Sequence, residues 1–168
     1  LASPSNKVLD NSLNQMIEYE INHSFDSAVP LQHLDLKIDE AFHISSSYIQ
    51  QRIKEDYFIV AYGAPAKAVT FLSRFDLEDV GIQFIIEDNP AKQGKFTPRS
   101  AIPIISSEIA LQLIKDTRKP ILFLILPWNL HSEIHNRIVN LMTGDTRIWE
   151  SVTLFPKLVV RNSNAILP

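Results

Sequence analysis

Residues 57–72, Tyr57-Phe58-Ile59-Val60-Ala61-Tyr62-Gly63-Ala64-Pro65-Ala66-Lys67-Ala68-Val69-Thr70-Phe71-Leu72, constrain the fold of this chain more than any other stretch. The run opens with apolar, aromatic and β-branched residues and no polar alternation, the composition of a strand buried on both faces. It breaks at Gly63, where the backbone can turn freely. Pro65 suits the first turn of a helix, since its missing N–H is not needed there. Val69, Phe71 and Leu72 give that helix an apolar side. The expected unit is therefore strand, tight turn and helix, with the helix over about 65–75. Unpaired N–H groups at its start, with Lys67 in the first turn, suggest an anion site. A cation there opposes the helix dipole, so a functional role is one reason for its presence.

The nearest general pattern is the dinucleotide fingerprint G-x-G-x-x-G/A. Laid on Gly63, it gives Gly63, Pro65 and Ala68. Proline at the middle position has no N–H, and its ring blocks the close approach of a pyrophosphate. An ordinary NAD site is a poor match, and a purely structural turn stands as the alternative.

Helices and short strands fill the rest of the chain. Val8, Leu9, Leu13, Met16, Ile17 and Ile21 recur near helical spacing and predict a helix over 6–23. After a break at 24–30, a second helix is expected over 31–54, weakened by Ser45-Ser46-Ser47. These two helices stand outside the βα alternation and form an N-terminal helical segment, 1–55. They are expected to cover a sheet face or to reach a partner domain. The remainder, 56–168, reads as one α/β unit. Strands are expected over 57–62, 82–87, 102–105 and 121–126, the last being the six-residue run Ile121-Leu122-Phe123-Leu124-Ile125-Leu126. Ser106 or Ser107 can cap a helix running to about Lys115, with Glu108 in its first turn. Asn129 can cap another from Leu130 to Met142. Short strands are expected over 146–149, 152–155 and 158–160.

This alternation predicts a Rossmann-like, doubly wound, mostly parallel sheet with helices on both faces, preceded by two N-terminal helices. In such a sheet the strands ending at Tyr62 and Leu126 are central neighbours, and the chain reverses direction between them. Ligands bind at that switch point. Gly63, Ala64, Pro65 and Lys67 should therefore face one crevice with Trp128 and Asn129. Glu87, 24 residues after Gly63, ends the second strand, where an acid can take ribose hydroxyls. Trp128 can stack on a ring and Asn129 can bond a hydroxyl, or the two can be a buried Trp beside a helix cap.

The composition excludes several classes. The chain has 168 residues, a net charge of −3 and no basic block, which disfavours nucleic acid. It has no cysteine, so it carries no disulfide, thiolate metal site or catalytic thiol. That fits a cytoplasmic protein. Its longest apolar run is far too short for a membrane span. The opening Leu-Ala-Ser-Pro-Ser lacks an initiator Met and reads as a cut from a longer chain. His131 and His135 stand four apart, but no third ligand is suggested, so no metal site is assigned. No G-x-S-x-G elbow is present, and no catalytic residue is assigned.

Several of these residues together resemble a family. Tyr62-Gly63-Ala64-Pro65-Ala66-Lys67, Glu87-Asp88-Asn89-Pro90-Ala91-Lys92-Gln93-Gly94-Lys95-Phe96-Thr97-Pro98, Ile102-Pro103-Ile104, and Trp128-Asn129 with Glu133-Ile134 resemble the C-terminal domain of S-adenosylmethionine-dependent sugar C-methyltransferases. Those enzymes act on nucleotide-linked deoxysugars. They carry a cysteine-rich zinc domain, a central S-adenosylmethionine-binding domain with the acid/base residues, and this Rossmann-like end domain. The resemblance implies an end domain that helps hold a nucleotide-sugar, with a thymidine diphosphate sugar as the first choice. It also implies that the end domain binds no cofactor itself and does not methylate unaided. A stand-alone nucleotide- or NAD-binding Rossmann protein and a non-catalytic docking module are the alternatives.

Overall fold

A computed structural model describes residues 11–23, 29–74, 77 and 80–163 of the protein. The chain separates into two compact units, 1–39 and 40–168. The first contains α1 (Asn11–Asn22) and the opening of α2 (Val29–Lys54). Val8 and Leu9 lie outside the described residues, as does most of the expected break at 24–30. Leu13, Met16, Ile17, Tyr19 and Ile21 of α1 are all exposed. The helix α2 starts at Val29, earlier than expected, because Pro30 is tolerated in a first turn where its N–H has no partner to lose.

The second unit holds one six-stranded sheet. Its strands are β1 (Phe58–Tyr62), β2 (Ile85–Ile86), β3 (Ile104–Ile105), β4 (Ile121–Ile125), β5 (Trp149–Thr153) and β6 (Val159–Asn162). Their order is β3-β2-β1-β4-β5-β6. Every pairing is parallel except β5 with β6, which closes the edge antiparallel. The strands β1 and β4 are adjacent over their full length, from Phe58 opposite Ile121 to Tyr62 opposite Ile125. The helices α3 (Ala68–Arg74), α4 (Ser107–Asp116) and α5 (His131–Leu141) complete the unit. This is the doubly wound Rossmann-like α/β fold.

The apolar runs are continuous because both faces of the sheet are covered. Successive strand side chains point to opposite faces. Ile59, Ala61, Leu122 and Leu124 join Ile49 of α2 and Leu72 of α3 in one core. Val60, Phe123 and Ile125 join Ala110 and Ile114 of α4 and Ile134 and Ile138 of α5 in the other.

Several boundaries differ from the sequence expectation. Ser45-Ser46-Ser47 does not interrupt α2. Ser45 is buried, and its hydroxyl donates to the Leu154 carbonyl at 3.0 Å, so packing on the sheet overrides propensity. The second strand contracts to Ile85–Ile86, although flanking bonds from Ala61 N–H to Phe84 and from Gln83 N–H to Ile59 continue the ladder. The strands expected over 146–149 and 152–155 form one strand, β5. Before it, Arg147 caps the end of α4, donating to Ile114 and Thr117 carbonyls at 2.7 and 2.6 Å. Ser106 caps the start of α4, as expected. Asn129 caps nothing. It lies inside a single 3-10 turn, Trp128–Leu130, and α5 starts at His131 without a side-chain cap. The turn that Pro127 imposes after β4 uses up the residues meant for the cap.

Candidate functional site

The chain leaves β1 at Gly63, and two constraints meet there. Its φ is +82°, a conformation L side chains rarely adopt. A Cβ at this position would also lie 2.6 Å from Cγ of Pro127. The Gly63 N–H donates to the Ile86 carbonyl at 2.8 Å, and the Leu126 N–H donates to the Tyr62 carbonyl at 3.1 Å. The carboxyl ends of β1, β2 and β4 are thus tied together around one glycine.

Glu87 shapes the loops above them. It is buried, and its carboxylate accepts the Ala64 N–H at 2.9 Å and the Asn89 N–H at 3.0 Å. Lys92 Nζ donates to the Ala64 carbonyl at 2.7 Å and reaches the same carboxylate at 3.4 Å. The Gln93 side chain donates to the Glu87 carbonyl at 2.7 Å. Burial pushes the Glu87 carboxyl up, but the two N–H groups and Lys92 outweigh it and hold the group below the usual glutamate range. The expected helix start at Pro65 is displaced. The helix α3 begins at Ala68 and has 7 residues, while Ala68 N–H is spent on the Pro65 carbonyl. Ala64 N–H, the donor an anion would use, already holds Glu87.

Two adjoining cavities open at this end of the sheet. The smaller, about 220 Å³, is lined by Gly63, Ala64, Pro65, Glu87 and Lys92, with Pro127, Leu130, Glu133 and Ile134 opposite. The larger, about 550 Å³, lies between α4 and α5 and is lined by Ser107, Glu108, Leu111, Asn140 and Leu141. Tyr62, Asp88 and Arg137 line both. Asp88 joins these shared groups: it accepts the Tyr62 hydroxyl at 3.1 Å, the Ser107 hydroxyl at 3.4 Å and a short ion pair from Arg137. Arg137 also donates to Glu133 at 2.6 Å, one turn earlier. Burial, with Asp88 beside it, raises the Tyr62 phenol above its ordinary value.

Of the residues singled out in the sequence, Gly63, Ala64, Pro65 and Glu87 line the smaller cavity. Lys67, Trp128 and Asn129 line neither. Lys67 is exposed in the turn before α3 rather than in a first helical turn. Trp128 turns to the α3 side of the sheet and stacks edge-on against Phe155 at 5.2 Å. Asn129 is exposed. Among the described residues, the cations that line the crevice are Lys92 and Arg137. The sequence reading missed Arg137, which helical spacing could have found, since Leu130, Glu133, Ile134 and Arg137 recur at the spacing of one helix face. His135 and His131 go to separate partners. His135 Nδ1 pairs with Ser151 Oγ at 2.7 Å, and His131 Nε2 accepts from Arg161 at 3.1 Å.

The crevice is thus built from four chain segments, with hydroxyl, amide, carboxylate and guanidinium groups around apolar walls. It lies beyond the carboxyl ends of two adjacent parallel strands, the position where open α/β sheets bind ligands. That places the chain among Rossmann-like α/β domains. Residues 2–151 match the family described as the C-methyltransferase C-terminal domain, and the chain belongs to that family. It is also similar to the C-methyltransferase NovU of Streptomyces niveus, at 37% identity over 76 residues. That match covers 45% of this chain and 17% of NovU.

Proposed function

We propose that this chain is the substrate-side domain of an S-adenosylmethionine-dependent C-methyltransferase acting on a nucleotide-linked deoxysugar, with a thymidine diphosphate sugar as the ligand. A separate domain of the complete enzyme binds S-adenosylmethionine and performs the methyl transfer. The observation that carries this reading is the crevice at the β1/β4 switch point in a domain of C-methyltransferase family. Its groups form a binding surface: the carboxylates of Glu87 and Asp88 are engaged in hydrogen bonds that fix loops and orient neighbours. The same turn does not fit S-adenosylmethionine or NAD. Ala64 N–H is taken by Glu87, and the Pro127 ring sits where a ligand would approach Gly63. No cofactor-dependent step is assigned to this chain.

The test is a steric block in the complete enzyme. Leu130 is 45% exposed on the crevice wall, so Leu130→Trp can fill the small cavity without disturbing the core. The expected result is a KM for the nucleotide-sugar raised on the order of tenfold, a loss of about 1.4 kcal/mol, with S-adenosylmethionine affinity unchanged. An unchanged KM would favour the docking-module reading. The exposed apolar side chains of α1 support that alternative.

A further inference from the structure

Building on the nucleotide-sugar reading, we propose that the deoxysugar ring sits in the larger cavity and reaches the smaller one past the Tyr62, Asp88 and Arg137 wall they share, and that the diphosphate stays outside the crevice. Charge separates the two ends of such a ligand. Across both cavities, Lys92 and Arg137 face Glu87, Asp88, Glu108 and Glu133. Arg137 is already paired with Asp88 and Glu133, and Lys92 with Glu87. A diphosphate placed here would meet carboxylates whose countercharges are in use. It would have to break those pairs before gaining any of its own.

A deoxysugar ring has the opposite requirements. It is uncharged, its hydroxyls donate to carboxylates and accept from amides, and its deoxygenated carbons need apolar contact. The larger cavity offers both. Asp88 and the exposed Asn140 supply an acceptor and an amide, while Leu111 and Leu141 supply apolar walls. Ser107 adds a hydroxyl at the start of α4, where Asp88 already holds it at 3.4 Å. At about 550 Å³ the space is open enough for a hexose with its hydration. Asn140 is thereby assigned as a ring-contacting residue, and Asp88 as both a contact and the group that positions Arg137 and Tyr62.

The experiment compares two probes, thymidine diphosphate and thymidine diphosphate glucose, by calorimetry on the complete enzyme. The variants are Asn140→Phe, which fills the cavity, and Asn140→Ala, which removes only the amide. Asn140 is on the exposed side of α5, and an unchanged melting temperature checks the fold of each variant. Asn140→Phe should weaken thymidine diphosphate glucose on the order of tenfold or more and leave thymidine diphosphate unchanged. Asn140→Ala should give a smaller loss confined to the same probe. Equal losses for both probes would put the diphosphate in the crevice and overturn the assignment. No loss for either, with wild-type binding intact, would overturn it while sparing the nucleotide-sugar reading. Wild-type enzyme that binds neither probe would sink both.

Discussion

Two buried glutamates in the α/β unit solve the same problem in different ways. Glu150, on β5, and Glu87, after β2, are 8% and 9% exposed. Glu150 is held by side chains from one helix. Arg52 of α2 donates to its two oxygens at 2.6 and 3.1 Å, and the Tyr48 hydroxyl makes a short bond to it. The Arg52 guanidinium also lies over the Tyr48 and Tyr57 rings at 4.5 and 5.3 Å. Its hydrogen bond to Glu150 holds its pKa above the ordinary arginine value, and burial with Glu150 beside it raises Tyr48. Glu87 is held mostly by main-chain N–H groups of two loops, with a half-exposed lysine in support. The first arrangement pins a helix to the sheet and needs a full countercharge. The second fixes the shape of a crevice and needs little charge, because peptide N–H groups stabilise the anion. Stability and site geometry therefore rest on separate carboxylates.

The largest expected effect breaks the first arrangement. Arg52→Leu strands Glu150 without a countercharge and should cost about 3–5 kcal/mol in urea unfolding. Adding Glu150→Leu should recover most of that loss, since an apolar pair needs no partner. A double variant as unstable as the single one would show that packing, rather than charge, governs that position. Next is Gly63→Ala, on the crevice side. A positive φ costs about 1–3 kcal/mol for a side-chain-bearing residue. The close approach of the new Cβ to the Pro127 ring puts the cost toward the upper end of that range. The expected signature is a lowered Tm and weaker ligand binding together.

Glu87→Gln should cost less, about 1–3 kcal/mol at neutral pH, because one N–H loses a charged acceptor. The pH dependence sharpens this. The folded-state pKa of Glu87 lies below its unfolded value of about 4.3, so its stabilisation is complete above that value. It is lost as the pH falls through the folded value. The gap between wild type and Glu87→Gln, followed by urea midpoints from pH 6 downward, should be constant to about pH 4.3 and then narrow. A gap that widens in acid would contradict the depressed pKa. The smallest effect is expected for Lys92→Ala. Its side chain is 41% exposed, so its ion pair is worth at most about 1 kcal/mol. Weakened ligand binding with nearly unchanged stability would mark it as a residue that positions the Ala64 loop.

Much of the fold could be read along the chain. Residues 58–62 and 121–125 were legible as doubly buried strands because every position in them is apolar, and they lie side by side in parallel. A cap at Ser106 or Ser107 was legible because capping depends on a side chain three residues from its target, and the structure settles it on Ser106. Other features were not. Ser45-Ser46-Ser47 reads as a weak point, and only the partner carbonyl at Leu154, 109 positions away, shows why the helix continues. The split of 146–155 into two strands failed because Arg147 serves the end of α4, with contacts across 33 and 30 positions.

The candidate site divides in the same way. The sequence by itself determined that a crevice opens at Gly63: a doubly buried strand ending in a glycine, followed by a helix and a second such strand, places the switch point there. Only the tertiary structure decided which side chains enter it. Lys92 and Arg137 reach the crevice, while Lys67 and Trp128 do not. The cause is local geometry set by distant contacts. Glu87 takes the Ala64 N–H and delays α3 to Ala68, so Lys67 stays in an exposed turn. Pro127 packs on Gly63, and the 3-10 turn after it carries Trp128 to Phe155 on the opposite face. Strand and helix periodicity fix which residues are buried, but the direction of a side chain beyond a strand end depends on how the loop folds back, and neighbours far away in sequence set that.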